Sequence, residues 1–261
     1  MSELQGNSVV VTGAATGIGR ALAREAASRG ADVMVIDVND PAETVDLITS
    51  SGGRARGATC DVRDEPALQA VVAELFGDDG VVNIVCANAG GGTLGKIDAV
   101  SSDDFRDSLD LTVMGTVHTV HAFLPALRRA RSAGGMSAFL VTGSEHSLGV
   151  PPHVAPMTAY TTAKHALLGL VACMRRDLGD DGISASLLCP GYVRTERLRA
   201  YAEASDVMAE TLATYGQDVE DVARRAFDGV TKGCPVIPTN VLSRGFVIEL
   251  HGEILRAMDE L

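Results

Sequence analysis

The sequence predicts an α/β fold: a doubly wound parallel sheet with helices on both faces, in one domain over residues 1–261. Three observations lead there. Short β-branched or apolar runs alternate with helix-forming stretches along most of the chain. A glycine-rich turn joins the first of these strands to the first helix. Hydrophobic residues make up 46% of the chain, with 28 glycines and only 4% aromatics, which suits a helix–sheet sandwich with many tight turns. At 261 residues the chain exceeds a typical domain, yet α/β folds of this length are often undivided.

The elements follow in order. Residues 8–11, Ser-Val-Val-Val, read as a buried parallel strand. Thr12-Gly13-Ala14-Ala15-Thr16-Gly17-Ile18-Gly19 then leads into a helix-forming stretch from Arg20. Glycines permit close backbone approach, and free N–H groups at the helix start attract phosphate. The spacing is Gly-x-x-x-Gly-x-Gly rather than the commoner Gly-x-Gly-x-x-Gly. A second strand, residues 31–37, ends in Asp37 about twenty residues beyond the loop, where a carboxylate accepts both adenine-ribose hydroxyls and repels a 2′-phosphate. Ala15 supplies no cation for that phosphate, so NAD is favoured over NADP. Arg20 is expected on the exposed helix face and Asp32 in a solvated turn. A helix over 41–51 ends at Gly52-Gly53, a short strand over 58–60 finishes at Asp61, and a helix spans 65–76. A strand over 81–87, a long helix over 103–130, a strand over 138–142, a helix over 159–178 and a strand over 183–188 complete the alternation. Residues 236–239 read as a last strand and 242–259 as a closing helix, in a C-terminal segment of 242–261.

Composition bounds the function. A net charge of −12 argues against nucleic acid or an anionic membrane as partner. Cys60, Cys86, Cys173, Cys189 and Cys234 are scattered and odd in number, which fits buried reduced thiols and no disulfide framework. The histidines lack metal-site spacing, so no metal is expected. No apolar run approaches membrane-spanning length. The first strand begins too close to Met1 for a signal peptide, so the expected location is the cytoplasm.

Tyr160 and Lys164, in Ala159-Tyr160-Thr161-Thr162-Ala163-Lys164, are four apart on a helix and share a face. A nearby ammonium favours phenolate, so the pair predicts a lowered tyrosine pKa and a proton donor and acceptor near neutral pH.

Together these stretches resemble the short-chain dehydrogenase/reductase family, whose Rossmann-type fold the alternation already suggests. The likeness runs to about Thr195. Thr12-Gly13 to Gly19 resembles the family's cofactor loop, and Cys60-Asp61-Val62 its adenine-contacting strand end. Ala87-Asn88-Ala89-Gly90 is similar to its Asn-Asn-Ala-Gly, and Pro190-Gly191-Tyr192-Val193-Arg194-Thr195 to the turn that closes over nicotinamide. The resemblance implies cofactor contacts from Gly13, Thr16, Gly17, Ile18, Gly19, Asp37, Asp61, Val62, Asn88, Ala89, Gly90, Tyr160, Lys164, Pro190, Gly191, Val193 and Thr195. It implies hydride transfer between a secondary alcohol or ketone and nicotinamide, with Tyr160 moving the proton and Lys164 holding the ribose. A serine fixes the substrate oxygen. Ser144 is preferred; Ser147 is the alternative, because residues 151–156 read as an insertion that lengthens this loop. A Ser144-His146-Glu145 hydrolase is disfavoured, since no Gly-x-Ser-x-Gly elbow is present.

Two departures stand out. Thr112 falls where the family carries a relay asparagine, and the common Val-Asp-Gly-Gly ending is missing. The first leaves room for a non-catalytic NAD-binding sensor or scaffold; fold alone also allows an isomerase, dehydratase or epimerase using bound NAD. The resemblance further implies a homodimer or homotetramer, with the 103–130 and 159–178 helices as the dimer face or, alternatively, simply covering the sheet. Residues 90–96, 148–157 and 192–215 are expected to set substrate choice. The last is read as a lid lined by Tyr192, Leu198, Tyr201, Val207, Met208, Leu212 and Tyr215, or else as an ordinary amphipathic helix. Arg194, Arg197 and Arg199 on it either bind an anionic substrate or form a solvated cationic face.

Overall fold

Strands β1 (Ser8–Thr12), β2 (Asp32–Asp37), β3 (Arg54–Thr59), β4 (Ile84–Ala87), β5 (Ala138–Thr142), β6 (Ser184–Cys189) and β7 (Val236–Pro238) form one parallel sheet ordered β3-β2-β1-β4-β5-β6-β7. This is a computed structural model, and it describes residues 3–260. Residues 1, 2 and 261 of the expected 1–261 unit lie outside the described residues. The chain leaves β1 in one direction across the sheet and returns to add β4 on its other side. Ligands of such sheets bind in the crevice at that reversal, beyond the carboxyl ends of the strands.

Successive residues of a strand face opposite sides, so each run of apolar residues feeds two cores. Val9, Val11, Val33, Val35, Ile84 and Cys86 pack under α1 (Gly17–Ser28) and α2 (Ala42–Ser50). Val10, Met34, Ile36, Val85 and Phe139 pack under α3 (Glu65–Phe76) and the helices that follow β4 and β5.

The helix expected over 103–130 is three pieces. Helix α4 (Ser102–Leu109) runs into a π-helical turn, Asp110–Met114, and then α5 (Gly115–Ser132). The wider turn presents Thr112 to the loop after β4, where its Oγ1 donates to Gly91 O at 2.8 Å and accepts from Gly91 N–H at 3.1 Å. Helix α6 (Thr158–Asp177) matches expectation to a residue. Leu127, Leu167, Val171 and Met174 on α5 and α6 belong to the second core, so these stripes do cover the sheet.

Other boundaries moved. β3 starts at Arg54 instead of Ala58, because as an edge strand it pairs only with β2 and needs no apolar run; its residues are largely exposed. β4 begins at Ile84, three residues later than expected. Asp32 is exposed as expected, but it is the first residue of β2 and pairs with Arg54. Cys173 is exposed and Cys234 half-buried, which corrects the expectation that all five thiols are buried.

The lid segment forms α7 (Glu196–Glu203) and α8 (Asp206–Tyr215), each capped by a hydroxyl, Thr195 and Ser205 respectively. Helix α9 (Val219–Thr231) lies outside the elements expected from the sequence. Yet its Asp218 cap and the apolar spacing of Val219, Val222, Ala223, Ala226, Phe227 and Val230 are a legible helix signal. It packs against α1 in the first core. Helix α10 (Ser243–Asp259) closes the chain.

Candidate active site

The glycine loop is held open by neighbours that leave glycine no substitute. Gly13 has φ +64°, and a side chain there would place its first carbon 2.7 Å from the Ala89 Cα. Asn88 straps the end of β4 to this loop, its Nδ2 donating to Thr12 O and Gly13 O at 3.0 Å each. Thr12 Oγ1 accepts the N–H groups of Asn88 and Ala89 at 3.1 and 3.2 Å. The two strand ends at the sheet's reversal are therefore locked together, with α1 pointing its N-terminus into the crevice.

Asp37 ends β2 almost buried, and its Oδ2 accepts the Ala15 N–H at 2.9 Å. The carboxylate is thereby fixed beside the loop. Arg20 corrects the expectation that it lies on the exposed helix face. Its guanidinium turns back over the loop, donates to Ala15 O and Thr44 Oγ1, and pairs with Glu43 at 2.7 Å and Glu196 at 3.3 Å. Two carboxylates leave it no free charge for a further anion. Glu196, from the start of α7, also accepts the Gly17 N–H at 2.9 Å. The lid thus lays a carboxylate on the helix terminus where a phosphate is favoured.

A cleft of about 660 Å³ runs from this loop to the lid. Thr16, Gly17, Ile18 and Gly19 line one end, Asn88 and Gly90 the floor, and Pro190, Gly191, Val193 and Thr195 the opposite wall. Ser144, Tyr160 and Lys164 line its centre. Of the remaining residues expected to bind cofactor, Gly13 and Ala89 pack behind the loop, while Asp37, Asp61 and Val62 stand at or after the ends of β2 and β3, outside the cleft lining. The Arg63 guanidinium bonds Asp61 and holds its carboxyl below the usual range.

Lys164 is 4% exposed and donates to Thr142 O at 2.7 Å. Burial lowers its pKa to about 8. Its Nζ lies 5.8 Å from the centre of the Tyr160 ring, and a Cβ on Gly90 would approach it to 3.3 Å. The tyrosine differs from expectation. Burial raises the Tyr160 pKa, and the Glu145 carboxylate adds to this, while the Ser144 hydroxyl and the Arg197 cation act the other way. The lysine, bonded to a carbonyl, does not bring it down. Tyr160 is therefore a protonated donor at neutral pH.

Between the two candidate serines the geometry separates roles. Ser147 is fully buried, and its Oγ accepts the Ser144 N–H at 3.2 Å within the 3₁₀ turn Glu145–Ser147. Ser144 lines the cleft, with its Oγ donating to Pro190 O at 3.4 Å. His146, edge-on to the Tyr160 ring at 5.3 Å, engages Thr161 Oγ1 at 2.8 Å and is kept neutral by burial, which lowers its pKa to about 4. No Ser–His bond of a hydrolase forms between Ser144 and the His146 ring: only the His146 backbone N–H reaches Ser144 Oγ.

On the lid, Arg194 donates to Leu212 O, Arg197 lines the cleft, and Arg199 is exposed outside it. Tyr192, Leu198, Tyr201 and Met208 also line the cleft, whereas Leu212 is buried and Val207 exposed.

Known proteins show the family. A family model described as short chain dehydrogenase matches residues 7–206. The chain belongs to the short-chain dehydrogenase family. It is 35% identical over 204 residues to 2,5-dichloro-2,5-cyclohexadiene-1,4-diol dehydrogenase of Sphingobium indicum, covering 76% of this chain and 77% of that protein. It is 33% identical to cyclohexanol dehydrogenase of a Rhodococcus species, over 75% of this chain and 77% of that one. Among solved structures, a short-chain dehydrogenase/reductase from Burkholderia phymatum in complex with NAD superposes with a TM-score of 0.86 at 27% identity, over 98% of this chain and 97% of that one.

The buried His146 makes stability acid-sensitive. Its folded pKa, about 4, lies below the unfolded value of 6.5, so the unfolded state binds the extra proton first. The stability it confers is complete above pH 6.5 and is lost as pH falls towards 4. Urea titrations at pH 7 and pH 4.5 should show His146→Gln losing less stability on acidification than wild type, by about 2 kcal/mol.

Proposed function

We propose that this chain is an NAD-dependent dehydrogenase acting on an apolar cyclic secondary alcohol, or on the matching ketone in reverse. The observation that carries the reading is that Ser144, Tyr160 and Lys164 line one cleft with the glycine loop. Gly17, Ile18 and Gly19 at the α1 terminus suit the pyrophosphate, and Asp37 suits an unphosphorylated adenine ribose. Lys164, Asn88, Gly90, Pro190, Gly191, Val193 and Thr195 would surround the nicotinamide end. Bound NAD supplies the hydride acceptor.

The chain's own residues handle position and the proton. Ser144 Oγ orients the substrate oxygen, and Tyr160 gives its proton to a ketone or takes one from an alcohol. Its raised pKa favours donation at neutral pH and places efficient alcohol oxidation at alkaline pH, where phenolate becomes accessible. Lys164, buried beneath, supplies the positive charge that phenolate needs. Leu94, Met157, Leu198 and Met208 make the substrate end apolar. Relatives named for cyclohexanol and a cyclohexadiene diol support a cyclic substrate. The non-catalytic alternative rests on Thr112 alone, whose hydroxyl exchanges two bonds with Gly91, and relatives named as dehydrogenases favour the catalytic reading.

The test is NADH formation across a panel of cyclic secondary alcohols. Tyr160→Phe should lower kcat by about 10³-fold while NADH affinity, read by fluorescence titration, stays within about 2-fold. Failure of every alcohol with wild type would overturn the reading. Asp37→Ala should narrow the preference for NAD over NADP by at least about 10-fold, since one unpaired repulsion is removed; an unchanged ratio would refute that role. Glu196→Gln should tighten NADH binding by about 3- to 10-fold by removing a charge that competes for the Gly17 N–H. Weaker binding would show that this carboxylate assists the cofactor.

A further inference from the structure

The most unusual group near the site is not one of the proposed catalytic three. Glu145, next to Ser144, is 2% exposed. Its Oε2 accepts from Asn240 Nδ2 and from Ser243 Oγ, each at 3.1 Å, and its Oε1 lies 3.3 Å from His153 Nε2. A buried carboxylate is costly unless fully partnered, and stability alone favours an apolar residue of similar volume at such a place.

Its partners come from two segments. His153 belongs to the long loop after β5, and Asn240 and Ser243 to the tail. The same loop meets the tail again where Gly149 packs under the Phe246 ring, a Cβ there falling 2.8 Å from Phe246 Cδ2. The His153 ring also sits among Tyr215, Tyr192 and Phe246, with centroids 5.2, 6.3 and 6.5 Å away. Directly after His153, Val154, Ala155 and Met157 line the cleft.

We propose that Glu145 is a positioning residue for substrate, clamping the 148–157 loop through His153 to the C-terminal tail through Asn240 and Ser243. The clamp fixes the apolar wall made by Val154, Ala155 and Met157 and so sets the size of alcohol the cleft accepts. The family model matches residues 7–206, and Asn240, Ser243 and Phe246 lie beyond that stretch. The tail, which lacks the family's common ending, thereby becomes part of substrate selection. The inference rests on the dehydrogenase reading for its kinetic arm only.

The experiment compares His153→Ala, Ser243→Ala, Glu145→Ala and Glu145→Gln with wild type, using cyclohexanol as a compact alcohol and decahydro-2-naphthol as a bulky one. His153→Ala should raise KM for cyclohexanol about 10-fold with kcat within about 3-fold, because loosening a wall weakens positioning without touching the proton path. The cyclohexanol preference in kcat/KM should fall about 5-fold or more, with NADH affinity within about 2-fold. Ser243→Ala should move the same way by a smaller factor. Glu145→Ala should move KM and the cyclohexanol preference as His153→Ala does, with kcat kept out of that comparison because its carboxylate bears on the Tyr160 pKa. Glu145→Gln, which keeps the shape and can still bond all three partners, should restore the preference. Amide exchange over residues 154–157 should quicken in His153→Ala and in no case outside the loop, tail and lid. Unchanged KM and preference in His153→Ala, or an NADH affinity that falls in step with KM, would overturn the proposal. Should wild type oxidise no alcohol, the dehydrogenase reading falls and exchange alone decides: faster exchange at 154–157 supports the clamp, and unchanged exchange refutes it.

Discussion

Lys164 carries its ammonium into the interior with a backbone carbonyl as its bonded partner and, among the described residues, no carboxylate paired with it. Desolvating such a group is expensive, and the cost shows as a pKa drawn down to about 8. Everything around it is arranged to keep it there. β5 offers Thr142 O at its carboxyl end, α6 fixes the lysine one turn below Tyr160, and Gly90 leaves the space that any side chain would fill. The π-turn lets Thr112 pin Gly91, so the loop carrying Gly90 stays in position. An uncompensated buried cation is unfavourable for stability, and in the proposed reaction it is useful, since it would answer a negative charge that appears on Tyr160 only as the proton moves.

The opposite sign is managed at the other end of the cleft. The α1 terminus attracts anions, and with Glu196 across it that attraction is met by the protein's own lid. Arg20 is enclosed by Glu43 and Glu196 and so adds little field of its own. Discrimination at the adenine ribose then falls to Asp37, which the Ala15 N–H holds in one orientation. The site therefore pairs an unanswered cation at the reacting end with an answered one at the phosphate end.

What the sequence disclosed and what it hid divide along sequence distance. The glycine loop, the Tyr160–Lys164 spacing and the apolar strands are local patterns, and each formed where its pattern lay. Position favours Ser144 over Ser147; both are buried, but Ser144 lines the cleft while Ser147 Oγ is taken by the Ser144 N–H. The departures involve partners far apart in the chain. Arg20 was read as exposed because neither Glu43 nor Glu196 is in its neighbourhood by sequence. Tyr160 was expected to be made acidic by Lys164, because helix spacing gives a shared face but not where an ammonium points; the Thr142 carbonyl took it. β3 carries no apolar run because an edge strand can be specified by pairing alone. Helix α9 is the exception, since its cap and apolar spacing are local.

The same division explains why the substrate end is the least legible part. Glu145 beside a serine invites a story about its immediate neighbours, His146 and Ser144. Folding instead gives it partners 8, 95 and 98 residues away. No residue type at those positions announces a carboxylate partner: an asparagine, a serine and a histidine are ordinary in loops and helix starts. What distinguishes them is that the tail must come back across the long loop after β5 to reach them. One fold can thus hold the proposed proton-handling set near β5 and α6 while the far wall takes its support from a segment beyond residue 206, where the family model's match ends. In this chain the chemistry and the choice of substrate are written in different parts of the sequence, joined through Glu145, the residue that follows Ser144.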